Sequence, residues 1–195
     1  MATKEDIKLA ALHFFAYKGY EGTTMQDIAN SVGLKKQSLY SHFECKETLF
    51  LLVLHEQGRR IYLELNSAVE RLKNKPSEEL LNGLFESLVE IFSVRERLLF
   101  WKRTFIHYGS KDNTFITDPS EWHFDIRLRD ALYEVLGKRH DAFSDAGVFR
   151  AFFLSYMLMI QGFLDWMIVM GHDKPTRQSV WSSFWNGAAF YFNNE

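Results

Sequence analysis

Apolar residues recur at helical spacing almost from the first position. Ile7, Ala10, Ala11, Phe14 and Phe15 share one face of a segment predicted helical over Lys4–Lys18, and Gly19 stands where a left-handed cap would close it. Thr24 is placed to cap a second helix, with Asp27 in the reciprocal capping-box position and Met25, Ile28, Ala29 and Val32 as the apolar stripe. Gly33 supplies a sharp turn. Lys35–Phe43 then forms a third short helix, with Leu39 and Phe43 facing inward. Three short helices with a glycine turn between the second and third have the helix-turn-helix layout.

From Cys45 the period lengthens into one long helix, extending to Asn74, with Leu49, Phe50, Val53, Leu54, Ile61 and Leu65 as its apolar face. At ~1.5 Å per residue it spans ~40 Å, enough to join two parts of a molecule. Pro76 breaks the pattern, and helices are predicted over Ser77–Val94 and Arg95–Tyr108, the latter ending at Gly109. Lys111–Ser120 is polar, carries an Asp118-Pro119 turn signal and reads as a loop. Glu121–Arg139 is amphipathic, and Asp141–Met170 is apolar nearly all round. Gly171 stops that helix, and Pro175 opens a last one through about Phe192.

Composition narrows this picture. The chain has 195 residues, 47% of them hydrophobic, which is enough for a substantial core. The alternation that marks strands is missing, so the fold class is all-α. The uncharged run Ala151–Leu164 has 14 residues against the roughly 20 of a membrane span, which favours a buried helix. A lone cysteine, Cys45, allows no internal disulfide and suits a reducing compartment. Two acidic residues, Glu5 and Asp6, precede the apolar periodicity that starts at Ile7, unlike a secretory signal, so a cytoplasmic location is expected. The formal net charge is only −2, and any nucleic-acid binding must rest on a local patch.

Such a patch exists. Lys35 and Lys36 open the third helix with no acid until Glu44. Recognition helices meet base edges through their N-terminal residues, which places Lys35, Lys36, Gln37 and Ser38 for that task. Lysine suits guanine acceptors, and Gln37 can pair with adenine. Tyr40, His42 and Lys46 have the reach for phosphates, and Thr24 can offer one its hydroxyl and a backbone N–H. The alternative for Lys35 and Lys36 is a solvated face.

The block Thr23-Thr24-Met25-Gln26-Asp27-Ile28-Ala29, then Gly33, Leu39-Tyr40-Ser41-His42-Phe43 and Lys46-Glu47-x-Leu49, resembles the TetR family of bacterial repressors. The resemblance implies a DNA-binding domain over residues 1–46 and a helical ligand-binding and dimerisation domain over 47–195. It also implies backbone-holding roles for Thr24, Tyr40, His42 and Lys46. Gln37 stands where many relatives have glycine, which favours a side-chain contact there over close backbone approach.

The remainder is rich in soft, bulky side chains. Of 31 aromatic residues 25 follow position 46, and four of six methionines fall within Met157–Met170. Phe85, Phe92, Trp101, Phe105, Trp122, Tyr156, Met159 and Phe163 are the candidate lining of an inducer pocket, with packed core or dimer interface as the alternative for each. Asp165 beside Trp166 could meet a cationic ligand or face solvent, and Glu86 with Glu90 reads as a solvated face. Phe149, Phe153, Ile160, Met167, Val180, Trp181, Phe184 and Phe190 suggest a four-helix interface between two copies.

The seven histidines form no HExxH pair, and no phosphate loop or nucleophile elbow is present. A catalytic site, a metal and a cofactor are not expected. The expected protein is a dimeric regulator of a palindromic operator on double-stranded DNA, released by a small hydrophobic or aromatic inducer. Two other readings stay open: a DNA-binding regulator with no inducer, and a helical ligand carrier or enzyme.

Overall fold

A computed structural model describes residues 2–108, 124–171 and 173–192, with the backbone alone at 105–108 and 124–125. All its regular elements there are helical: α1 (Lys4–Gly22), α2 (Met25–Ser31), α3 (Lys36–Tyr40), α4 (Lys46–Leu72), α5 (Ser77–Ile91), α6 (Arg95–Tyr108), α7 (Phe124–Leu136), α8 (Ala146–Met170) and α9 (Lys174–Ala188). Short 3-10 turns cover Asp141–Ser144 and Ala189–Phe192. The predicted loop Lys111–Ser120, Gly109 and Trp122 lie outside the described residues, as does the side chain of Phe105.

Packing divides the chain into two compact units, Met1–Arg60 with Val94–Trp122, and Ile61–Ser93 with His123–Glu195. The cut falls inside α4, which contributes one half to each.

In the first unit, α1 starts at a Thr3–Asp6 capping box that its apolar spacing does not announce. Ile7, Ala11, Leu12, Phe15 and Ala16 are its buried face. Gly19 takes φ 74°, as expected of a stop, but the chain makes one further turn before Thr23 caps it. Phe50 of α4 is the hub of this core, with its ring centroid 5.0 Å from Phe15, 5.1 Å from Tyr20 and 5.7 Å from Phe100 of α6. At the surface His13 of α1 meets Glu96 of α6 at 2.7 Å.

In the second unit α8 is the central helix. It is capped by Asp145, ends at Gly171 with φ 75°, and runs 25 residues. That exceeds the uncharged run and is long and apolar enough by composition to cross a bilayer. Its buried face nevertheless serves a protein core: Phe149, Phe152, Phe153, Tyr156, Met157, Ile160, Phe163, Leu164 and Met167. Phe152 packs in tilted and edge-to-face contacts with Phe143, Phe192 and Phe184, and Tyr156 is fully buried, its hydroxyl donating to the Leu81 carbonyl at 2.7 Å. Burial holds that phenol far above its ordinary pKa. His140 Nε2 and Ser77 Oγ meet at 2.8 Å in the same interior, while Arg139 donates to the carbonyls of Lys73 and Lys75 and pins the turn between α4 and α5.

This packing corrects the expected dimer face. Phe149, Phe153, Ile160, Met167 and Trp181 are buried within the unit, Val180 and Phe184 are half-buried, and only Phe190 of that set is openly exposed. The solvent face of α8 carries Ala151, Leu154, Ser155, Leu158, Gly162, Asp165, Trp166 and Val169 instead. A helix that is apolar all round does not reveal which side the core takes.

Candidate nucleic-acid interface

The geometry of α2 and α3 grows from local rules. Thr24 Oγ1 accepts from the Asp27 N–H at 3.1 Å, and the Asp27 carboxylate accepts from the Thr24 N–H at 3.2 Å and from its hydroxyl at 2.9 Å. Those hydrogen bonds, with Lys18 Nζ at 3.4 Å, hold the Asp27 carboxyl below the usual carboxylate range. The helix buries Met25, Ile28 and Ala29, while Val32 becomes its C-cap. Gly33 then turns the chain at φ 68°, and the Leu34 N–H returns to the Ala29 carbonyl at 2.9 Å.

α3 is five residues long, shorter than the predicted Lys35–Phe43, because Lys35 is its N-cap and the backbone leaves the helix after Tyr40. A helix this short has almost no intrinsic stability. It is held by two apolar anchors, Leu39 at 0% and Phe43 at 5% exposure, as the sequence predicts. Everything else it carries is offered to solvent. Lys35, Lys36, Gln37, Ser38 and Tyr40 are exposed, and Lys36 Nζ lies 5.9 Å from the Tyr40 ring centroid. Thr24 is also exposed, and His42 is half-buried.

Lys46 behaves differently from a free surface lysine. Its ammonium donates to the carbonyls of Tyr20 at 2.8 Å and Thr23 at 3.0 Å, and it sits 4.2 Å from the Tyr20 ring centroid. These carbonyls lie at the C-terminal end of α1, where a cation is favoured, and that of Tyr20 also accepts the Thr23 N–H. One of three N–H donors remains for another acceptor. Nothing in the sequence marks this contact, because its partners lie 23 and 26 residues away. Beside it, Cys45 engages the Thr48 hydroxyl at 3.2 Å and accepts from the Thr48 N–H at 3.4 Å, which draws its thiol pKa down.

The residues expected around an inducer fall in two groups. Phe85, Phe92, Tyr156, Met159 and Phe163 belong to the second unit and Trp101 to the first. Phe85 and Phe163 are in ring contact at 5.4 Å, and all except the half-buried Met159 are buried. Asp165 is exposed on α8. Glu90 is exposed and Glu86 half-exposed, but the Glu86 carboxylate is not free: it pairs with Arg177 at 2.6 Å, 91 positions along the chain.

A bundle of three short helices, with an exposed basic third helix braced by two buried apolar side chains, defines a helix-turn-helix protein. Residues 7–53 match the family model of bacterial regulatory proteins of the tetR family. The biofilm operon icaADBC HTH-type negative transcriptional regulator IcaR of Staphylococcus aureus (strain Newman) is 38% identical over 98 residues, 49% of this chain and 50% of that protein. The regulator of the same name from Staphylococcus epidermidis is 34% identical over 97 residues, 49% of each chain. The match thus spans about half the length of these curated relatives. Solved structures share the whole fold. The TetR family regulator PfmR from Thermus thermophilus covers 94% of each chain at TM-score 0.60 and 23% identity. A TetR family regulator from Marinobacter aquaeolei covers 94% of this chain and 93% of its own at TM-score 0.66 and 17% identity. The head is thus similar in sequence to the tetR family over residues 7–53, and beyond it the likeness is one of fold.

Proposed function

We propose that the protein is a dimeric transcriptional repressor that binds a palindromic operator through α3 and is released by a small hydrophobic or aromatic inducer. The exposed, acid-free row Lys35–Ser38 on a helix fixed by Leu39 and Phe43 carries this reading. In it Lys35, Lys36, Gln37 and Ser38 meet base edges, while Thr24, Tyr40 and His42 hold phosphates. Lys46 clamps α1 and lends its last donor to the backbone. The negative regulators among the relatives agree with repression.

The first 46 residues serve DNA and the rest serves dimerisation and ligand. A second copy covers the solvent face of α8, where Leu154, Leu158 and Val169 are 57%, 63% and 79% exposed and Asp165 is the one acid in the stripe. α9 exposes Pro175, Ser179, Ser182, Ser183, Asn186 and Gly187, small residues that let partner helices approach closely. An inducer among Phe85, Phe92, Tyr156, Met159 and Phe163 of the second unit would shift the dimer to a state with misplaced recognition helices. Such a protein works in the cytoplasm.

The test is a mobility-shift titration on the DNA upstream of its own gene at several salt concentrations, with and without hydrophobic aromatic compounds. Sequence-specific binding that weakens steeply with salt supports the reading. Binding that no compound reverses leaves a repressor without this class of inducer. No specific DNA binding at low salt overturns the proposal.

A further inference from the structure

A cleft of about 750 Å³ opens in the second unit, lined by α4, α5 and the start of α9. That volume is in the range of small-molecule sites. Its lining differs in kind from the aromatic interior: Glu64, Ser67 and Arg71 from α4, Glu86, Ser87 and Glu90 from α5, and Arg177 from α9. Leu63, Ala68 and Ile91 supply apolar wall between them.

The pairing of these charges is uneven. Glu86 is neutralised by Arg177 at 2.6 Å, which leaves Arg177 Nε buried without a partner. Around the nearby turn opposite charges pair readily, Lys73 with Glu70 at 2.6 Å and Lys75 with Glu79 at 3.4 Å. Arg71 and Glu90, although both line the cleft, have no described partner. The reason is distance along the cleft. α4 and α5 touch at Leu72 and Gly83, where a Cβ on the glycine would come 2.7 Å from Leu72 Cδ1. Arg71 therefore sits beside the α4–α5 contact at Gly83, and Glu90, seven residues beyond Gly83, lies about 10 Å further along the helix axis. Arg71 and Glu90 thus stand apart in a shared concavity, with the Ser67 hydroxyl on the wall and a further acid, Glu64, on α4.

We infer that this cleft binds a small elongated zwitterion, its carboxylate on Arg71 and its ammonium on Glu90, with its apolar middle against Leu63, Ala68 and Ile91. Arg71 offers a planar fork suited to a carboxylate, and the paired Glu86 and Arg177 add no net charge. The site stands independently of the DNA reading, since its occupancy is measured without DNA.

Calorimetric titration of the full chain with ω-aminooctanoate, diaminooctane and octanedioate tests it. The aminocarboxylate should bind, with the diamine and the diacid at least about tenfold weaker. Arg71→Gln and Glu90→Gln should each weaken it about tenfold, the loss of one charge-assisted contact. The double exchange Arg71→Glu with Glu90→Arg should keep binding with the ligand reversed, which separates a binding role from a folding defect. Equal binding of the diamine, unchanged affinity in both single variants, or no binding of the aminocarboxylate at millimolar concentration overturns the proposal.

Discussion

α3 and α8 solve opposite problems. α3 has five residues, keeps Leu39 for the interior and displays the rest, so its position depends on what lies beneath it and on the turn at Gly33. α8 has 25 residues, buries nine of them, and is itself what its neighbours pack against. In α3 the side chain that anchors the helix is not among those proposed to read DNA, so the exposed surface can change with little effect on the fold. In α8 a buried face and a solvent face share one apolar composition, and burial alone tells them apart.

The core face of α8 breaks the comparison most severely. Phe152 is 1% exposed and ringed by aromatic partners, so Phe152→Ala should cost about 3–5 kcal/mol in denaturant unfolding. The same test on the exposed side, Leu158→Asp, should leave the subunit folded but give a monomer by sedimentation. Its affinity for a two-site operator should fall about a hundredfold, the loss of linked binding. A dimer that survives Leu158→Asp would move the interface elsewhere.

On α3 the expected effects are smaller and appear in a different assay. Lys36→Ala should change stability by less than about 0.5 kcal/mol, yet weaken operator binding by about 1–3 kcal/mol if Lys36 reads a base. Tyr40→Phe removes the hydroxyl proposed to hold a phosphate and should weaken all sequences alike. Loss of specificity in the tyrosine variant, with none in the lysine variant, would exchange the two roles.

The contrast also explains what the sequence could show. Thr24 with Asp27, Gly33, and the pair Leu39 and Phe43 act within a few positions of one another, and each is legible as a cap, a turn or an anchor. The long α4 is legible for the same reason, its face running from Leu49 to Leu65 at one period. Lys46 reaching Tyr20, Tyr156 reaching Leu81, and Arg177 reaching Glu86 are not legible, because a side chain's partner across tens of residues leaves no periodic trace. The face of α8 is hidden on different grounds: with apolar residues on every side, periodicity carries no contrast.

The smallest effect concerns the cap that sets α2 against α3. Thr24→Ala removes the hydroxyl that accepts from the Asp27 N–H, a loss of about 1 kcal/mol for a typical N-cap. Asp27 takes part through its charged form, since the Thr24 N–H and hydroxyl both donate to its carboxylate and lower its pKa. Its contribution is therefore complete above the ordinary carboxylate pKa of about 3.9 and fades as pH falls through the lower folded value. Asp27→Asn should lose that dependence, giving a head whose stability varies less with pH below about 4 than that of the parent. Because the proposed base-reading residues all lie within Lys35–Ser38, both variants should weaken DNA binding uniformly across sequences. A change in sequence preference from either would mean that the cap, and not α3 alone, contributes to reading the operator.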